Sequence, residues 1–279
     1  MAHSDDHFAA YSFVDRIDEW VPGRSARAHF LVPPHAGRFS SCLVAEAVGQ
    51  LAAWVSMDWI QFRGRPVAAL ANETRFRGNA IPGRMLELQV HLQSCDEEAV
   101  AYSGHASVDG RVITELVDCL GPMLPVNDFD DPQLLRDRLA LLRGPGAPPA
   151  RFRGVPAPKV AVIEEVRGER LRATLEVPTD APFFRDHFPR RPVYPATLLL
   201  DSEIDLALDL ASEAPWAHSN QPLPERVTHV KMRGWIEPGQ TVDIEVVQNR
   251  PEKGVAKAML SASVAGKQVA TARLELAAP

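Results

Sequence analysis

The stretch Phe183-Phe184-Arg185-Asp186-His187-Phe188-Pro189-Arg190-Arg191-Pro192-Val193-Tyr194-Pro195-Ala196-Thr197, followed at once by Leu198-Leu199-Leu200-Asp201, decides how this chain reads. Three prolines within the seven residues from Pro189 to Pro195 stiffen it, because each ring fixes φ and removes a backbone donor. Pro195 and Thr197 open an apolar run that reads as a helix. The first N–H groups of that helix, at Ala196 and Thr197, have no partner within it and face whatever lies beside His187. A base next to a helix N-terminus suits chemistry in which an oxygen gains negative charge, as in an enolate.

Working outward, Tyr11 to Trp20 and Ser25 to Val32 read as two strands around the turn Pro22-Gly23. Ser40-Ser41 offers an N-cap for a helix to about Met57, with Leu43, Val44, Ala47, Val48, Leu51, Ala52 and Val55 at helical spacing. Glu46 and Gln50 stand four apart on it, which puts a carboxylate and an amide on one face of an otherwise apolar surface. Burying an ionisable group is costly, so Glu46 is a candidate functional residue. Strands follow at about 67–75, 86–92, 99–107 and 111–121, the last two joined by the hairpin signal Asp109-Gly110. Asp130-Asp131-Pro132 caps a short amphipathic helix to about Leu142, and residues 144–158, rich in Gly and Pro, read as a linker.

From residue 159 the same order returns: two strands, the loop of His187, a helix over about 196–212, then antiparallel strands. Arg77-Gly78 and Pro82-Gly83 recur as Arg233-Gly234 and Pro238-Gly239 at an offset of 156 (233 − 77), and Asp109-Gly110 recurs as Ala265-Gly266 at the same offset. A tandem duplication follows, with a first unit over 1–126, a linker with a short helix over 127–158 and a second unit over 159–279. The offset is 145 at the first hairpin (168 − 23) and 155 at the helices (201 − 46), so the first unit lacks ten residues, roughly those carrying Phe183 to Pro192. His35 lies in the shortened loop and by this count is not the counterpart of His187. Asp201, the counterpart of Glu46, heads a stripe with Asp205 and Asp209 that reads as a solvated face.

At 279 residues the chain is long enough for two cores, and its net charge of −6 argues against a general nucleic-acid or membrane-surface role. Cys42, Cys95 and Cys119 are odd in number and lack CxxC spacing, which fits a reducing compartment without a structural zinc. No apolar run approaches the roughly 20 residues a membrane helix needs, and the polar N-terminus does not read as a signal peptide. A cytoplasmic protein is expected.

Residues His187 to Pro195 resemble, in order and spacing, the loop His-Phe-Pro-Gly-x-Pro-Val-Met-Pro-Gly of the β-hydroxyacyl-acyl-carrier-protein dehydratases, with Arg190 and Ala196 in place of the two glycines. Leu43-Val44-Ala45-Glu46-Ala47-Val48-Gly49-Gln50 looks like the catalytic helix of that family, and Tyr11 to Arg16 like its opening strand. The resemblance covers nearly the whole chain as two copies. It implies an α+β fold of two tandem hotdog units, each a long helix wrapped by an antiparallel sheet, packed as a pseudo-dimer. It also implies a site between the units that pairs His187 of the second with Glu46 of the first. Asp201 would need a histidine that the first unit lacks, so one site is expected rather than two.

Dehydrating a 3-hydroxyacyl thioester means taking an α-proton of low acidity and protonating a poor leaving group. Imidazole, with an unperturbed pKa of about 6.5, suits the first task, and a carboxyl raised by an apolar wall suits the second. Ala196 and Thr197 would supply N–H donors to the thioester oxygen. Gln50, Phe188 and Tyr194 are expected beside the substrate. Arg185, Arg190 and Arg191 would meet an acidic acyl carrier protein and the phosphate of its phosphopantetheine arm. No cofactor, metal, nucleic-acid or membrane partner is implied, and the chain would be a monomeric pseudo-dimer or a homodimer of it. Two other readings stay open: a hotdog thioesterase using Glu46 alone, and a non-catalytic acyl-carrier-binding subunit.

Overall fold

The computed structural model describes residues 7–35, 37–214, 222–252 and 254–277. The first unit runs β1 (Arg16–Val21), β2 (Ser25–Leu31), α1 (Ser41–Trp59), β3 (Gly64–Pro66), β4 (Leu70–Phe76), β5 (Met85–Cys95), β6 (Ala99–Val108) and β7 (Arg111–Pro125). A short 3-10 turn, Val126–Asp128, and α2 (Pro132–Arg143) follow. The second unit runs β8 (Lys159–Val166), β9 (Arg170–Glu176), α3 (Phe184–His187), α4 (Ala196–Ser212), β10 (Leu223–Met232), β11 (Thr241–Gln248), β12 (Val255–Val264) and β13 (Lys267–Ala277). Among the described residues no helix is long and apolar enough to cross a membrane.

Alternation sets the strands. In β5, Leu86, Leu88, Val90 and Leu92 are buried while Glu87, Gln89, His91 and Gln93 face solvent, as a half-covered strand of period two requires. All strands but β3 form one antiparallel sheet in the order β1-β2-β5-β6-β7-β4-β10-β13-β12-β11-β9-β8, and β3 pairs with β7. The two units join at β4 and β10, paired from Leu70↔Lys231 to Arg75↔Arg226. Across that seam Arg226 Nη1 donates to Glu73 Oε1 at 3.1 Å. The sheet curls around α1 in one half and α4 in the other, and the two helices touch. This is the helix-wrapped architecture that the duplication implies.

The two halves share a turn conformation 156 residues apart. Asp109 and Gly110 take φ of 51° and 73°, and Ala265 and Gly266, 156 residues on, take 49° and 77°. Both pairs fit the tight two-residue hairpin that needs positive φ twice.

Three sequence expectations change. The first strand begins at Arg16, not Tyr11, because the N–H groups before it go to side chains: Tyr11 to Asp186 and Phe13 to Gln50. Residues 184–187, expected as loop, form the single helical turn α3. Residues 144–158 carry no helix or strand but are pinned: Ala147 N–H donates to the Asp15 carbonyl at 2.7 Å, and Phe152, 1% exposed, packs edge-on against Phe13 and Phe39.

Packing between α1 and β6 is close at one point. A Cβ placed on Gly104 would lie 2.6 Å from the Gln89 carbonyl oxygen and 2.7 Å from Val48 Cγ1. Gly104→Ala is therefore expected to destabilise the chain by about 1–3 kcal/mol, the usual range for an overpacked core, and to lower the melting temperature by several degrees in a circular-dichroism scan.

Candidate active site

Helix α1 is apolar on every side but one. Leu43, Val44, Ala47, Val48 and Leu51 are buried, while Ala45, Glu46, Gly49, Gln50 and Ala53 line a cavity of about 240 Å³ that both units wall. The Glu46 carboxylate is held at both oxygens: Oε1 accepts from Gln50 Nε2 at 3.0 Å and Oε2 from Thr197 Oγ1 at 2.9 Å. Burial pushes the pKa of Glu46 up, and the donors Gln50 and Thr197, with the charge of Arg65, pull it partly back. Gln50 also donates to the Tyr11 carbonyl at 2.9 Å and accepts from Phe13 N–H at 2.8 Å. Both amide donors of Gln50 thus hold Glu46 and the opening segment rather than pointing at a substrate.

His187 ends α3, and the prolines behind it prevent the turn from continuing. Its ring lies edge-on to Tyr11, centroids 5.5 Å apart, and lines the same cavity as Glu46. Nδ1 is buried without a hydrogen-bond partner among the described residues. Burial first, and then the positive charge of Arg65, push its pKa down to about 3, while the nearby Val193 backbone opposes them. The imidazole is neutral at ordinary pH, which is the form that accepts a proton.

Arg65, which no sequence pattern singles out, props this turn. Its Nη2 donates to the His187 carbonyl at 2.7 Å, its Nη1 to the buried Asp130 carboxylate at 2.6 Å, and its guanidinium sits 4.9 Å from the Phe188 ring centroid. The other anchor is Asp186. Its carboxylate accepts from the backbone N–H groups of Phe8, of Ala10 at 2.6 Å and of Tyr11 at 2.9 Å, which straps the N-terminal segment over the histidine turn. His7 lies between Asp186, at 3.3 Å, and Asp130, at 3.7 Å. Burial alone would lower its pKa, but the two carboxylates raise it to about 9.

Ala196 and Thr197 occupy the first turn of α4, whose leading N–H groups have no partner within the helix, and both residues line the cavity. Phe188 and Tyr194 line it too, Phe188 within a cluster of Phe129, Val193 and Trp235. The arginines are less free than their number suggests. Arg185 is exposed, with Asp180 at 3.8 Å. Arg190 is tied to Asp131 at 2.8 Å, and Arg191 rests over Trp235 at 4.8 Å.

The reciprocal position looks different. Asp201 on α4 meets Arg38 at 3.4 Å, and Arg38 also grips Asp205 at 2.8 Å, so this part of the acidic stripe, still open to solvent, carries a cross-unit ion pair. The cavity of about 360 Å³ there has no histidine in its described lining, and His35 lies within 2.9 Å of Arg153 Nη1.

Residues 158–273 match the family model described as the FabA-like domain. The chain is 32% identical over 100 residues to the 3-hydroxyacyl-acyl-carrier-protein dehydratase FabZ of Paracidovorax citrulli, an alignment covering 34% of this chain and 68% of that one. Similar solved structures include a conserved protein with a hot dog fold from Alicyclobacillus acidocaldarius, with TM-score 0.55, 13% identity and coverage of 100% and 99% of the two chains. Another is the acyl-CoA thioesterase II TesB2 of Mycobacterium marinum, with TM-score 0.57, 11% identity and coverage of 94% and 95%. At such identities the structures establish the hotdog fold alone, whereas the FabZ alignment reaches family level.

The His7 arrangement has a pH signature. A histidine whose folded pKa is raised to about 9 stabilises the fold fully below its unfolded value near 6.5 and loses that contribution as pH rises through 9. Unfolding free energy measured in urea between those limits is expected to fall with a component of up to about 1.4 kcal/mol per pH unit that is missing in His7→Gln.

Proposed function

Because the chain belongs to the family of 3-hydroxyacyl-acyl-carrier-protein dehydratases, we propose that it removes water from 3-hydroxyacyl thioesters to give 2-enoyl thioesters in fatty acid or polyketide-type biosynthesis. His187 is the base and Glu46 the acid. The observation that carries this reading is the convergence on one cavity of a neutral buried imidazole from one unit and a buried carboxyl of raised pKa from the other.

His187 takes the proton from C2, and the C–H electrons move onto the thioester carbonyl. The Ala196 and Thr197 N–H groups, at the positive end of α4, receive the developing oxyanion. The electrons then return, C2=C3 forms, the C3–O bond breaks, and the hydroxyl leaves as water with the proton of Glu46. An imidazole held at about 3 is a weak base toward solvent. Enolate charge growing beside it raises its basicity at the moment of transfer, and the same field of Arg65 that disfavours imidazolium favours the enolate. The buried Phe188 and Tyr194 would wall the acyl chain, and exposed Arg185 would meet an acyl carrier protein.

Purified protein given a 3-hydroxyacyl-carrier thioester is expected to yield the conjugated enoyl product, followed by its ultraviolet absorbance. His187→Ala and Glu46→Gln are each expected to lower kcat by about 10²–10⁴-fold, whereas Asp201→Asn leaves it unchanged. The kcat/KM profile should lack an acid limb near the ordinary histidine pKa of about 6.5 and fall on the alkaline side as Glu46 ionises. Release of free thiol instead of enoyl would favour the thioesterase reading, which the Glu46 carboxylate alone could serve.

A further inference from the structure

Glu46 Oε2 accepts from Thr197 Oγ1 at 2.9 Å, and Thr197 Oγ1 lies 2.7 Å from the Tyr11 hydroxyl. The three groups come from three places: α1, the first turn of α4, and the strap that Asp186 holds. Tyr11 is 1% exposed, so its phenol cannot turn to bulk water for a partner. Neither hydroxyl belongs to the acid–base pair.

A hydroxyl donates one hydrogen bond and accepts others, so this row can bond the carboxyl in either of its protonation states. With Glu46 ionised, Tyr11 donates to Thr197 and Thr197 donates to the carboxylate. With Glu46 protonated, the carboxyl donates to Thr197 Oγ1, whose own proton turns toward the Tyr11 oxygen. The Tyr11 proton then points into the cavity that the residue lines. A lone buried carboxyl would be left short of a donor or an acceptor each time it changed state, at a cost of about 1–3 kcal/mol.

We propose that Thr197 and Tyr11 are positioning residues that form a two-hydroxyl relay on Glu46, reversing direction as the carboxyl alternates between acid and carboxylate. The inference rests on Glu46 acting as the acid. Other charged and titratable groups also face this carboxyl. Arg65 of β3 favours its ionised form, Tyr102 of β6 feels its charge, and His187 of α3, Asp186 and Arg138 line the same cavity. The thiols of Cys42 and Cys119 line it as well, both pushed upward by burial. None of these groups hydrogen-bonds to the Glu46 carboxylate among the described residues, whose bonded partners are Gln50 and Thr197.

Thr197→Val removes the hydroxyl at nearly constant shape, so the carboxylate loses a donor and its proton is held more tightly. The alkaline limb of kcat/KM is expected to move up by about one pH unit, the worth of one hydrogen bond to a charged group. Tyr11→Phe is expected to shift it less, in the same direction, and not at all in the Thr197→Val background, since it acts only through Thr197. Thr197→Ser, which keeps the hydroxyl, should retain the wild-type limb. An infrared titration of the carboxyl band that disappears in Glu46→Gln reads the same shifts without turnover. If the wild type gives no enoyl product but the band shifts as described, the relay stands and the dehydratase reading fails. An unchanged band and limb in Thr197→Val, or an additive shift in the double variant, overturns the relay.

Discussion

A carboxylate from one unit and a hydroxyl from the other, Glu46 Oε2 and Thr197 Oγ1 at 2.9 Å, meet where α1 touches α4. A buried carboxyl stands only if its oxygens are satisfied, and the first unit alone supplies one donor, Gln50. The second donor comes from the start of the other helix, so the Glu46 environment is complete only when the two halves pack. Everything nearby enforces that packing. Asp186 draws the N-terminal strap across the seam, Arg65 reaches over to the His187 carbonyl, and β4 joins β10 into one sheet.

The two halves differ at their equivalent junctions. At the equivalent junction the shorter first loop brings Arg38 rather than a histidine to Asp201, and the guanidinium is shared with Asp205. Such a pair satisfies the carboxylate and leaves no neutral base beside it. One junction thus brings a buried imidazole and a buried carboxyl to one cavity, while the other closes on an ion pair.

Much of the fold was legible because alternation and helical spacing are strong, local signals: the strand β5 and the helix α1 with its Ser40 cap follow directly from them. The loop of His187 and the face bearing Glu46 were legible too, since prolines around a histidine and a carboxylate on an apolar helix both break the ordinary pattern. What stayed hidden depends on partners distant in sequence. Tyr11 reads as a strand residue because nothing local reveals that Asp186, 175 residues later, takes its N–H. Arg65 stands in no local pattern, and its buried partner Asp130 comes from beyond the sheet strands that follow it in the chain. The rim arginines read as free charge, yet Arg190 and Arg191 are held by Asp131 and by aromatic faces that only the fold brings near.

The proposed roles of His187 as base and Glu46 as acid are tested most directly by following the proton at C2. A 3-hydroxyacyl thioester deuterated at that carbon would be incubated with each variant in ordinary water, and loss of label read by mass spectrometry. With Glu46→Gln, label is expected to wash out although almost no enoyl forms, because the base still works while the leaving group waits for an acid. With His187→Ala, both washout and elimination are expected to stop. Washout that persists without His187 would contradict the assignment of the base, and with it the cross-unit site.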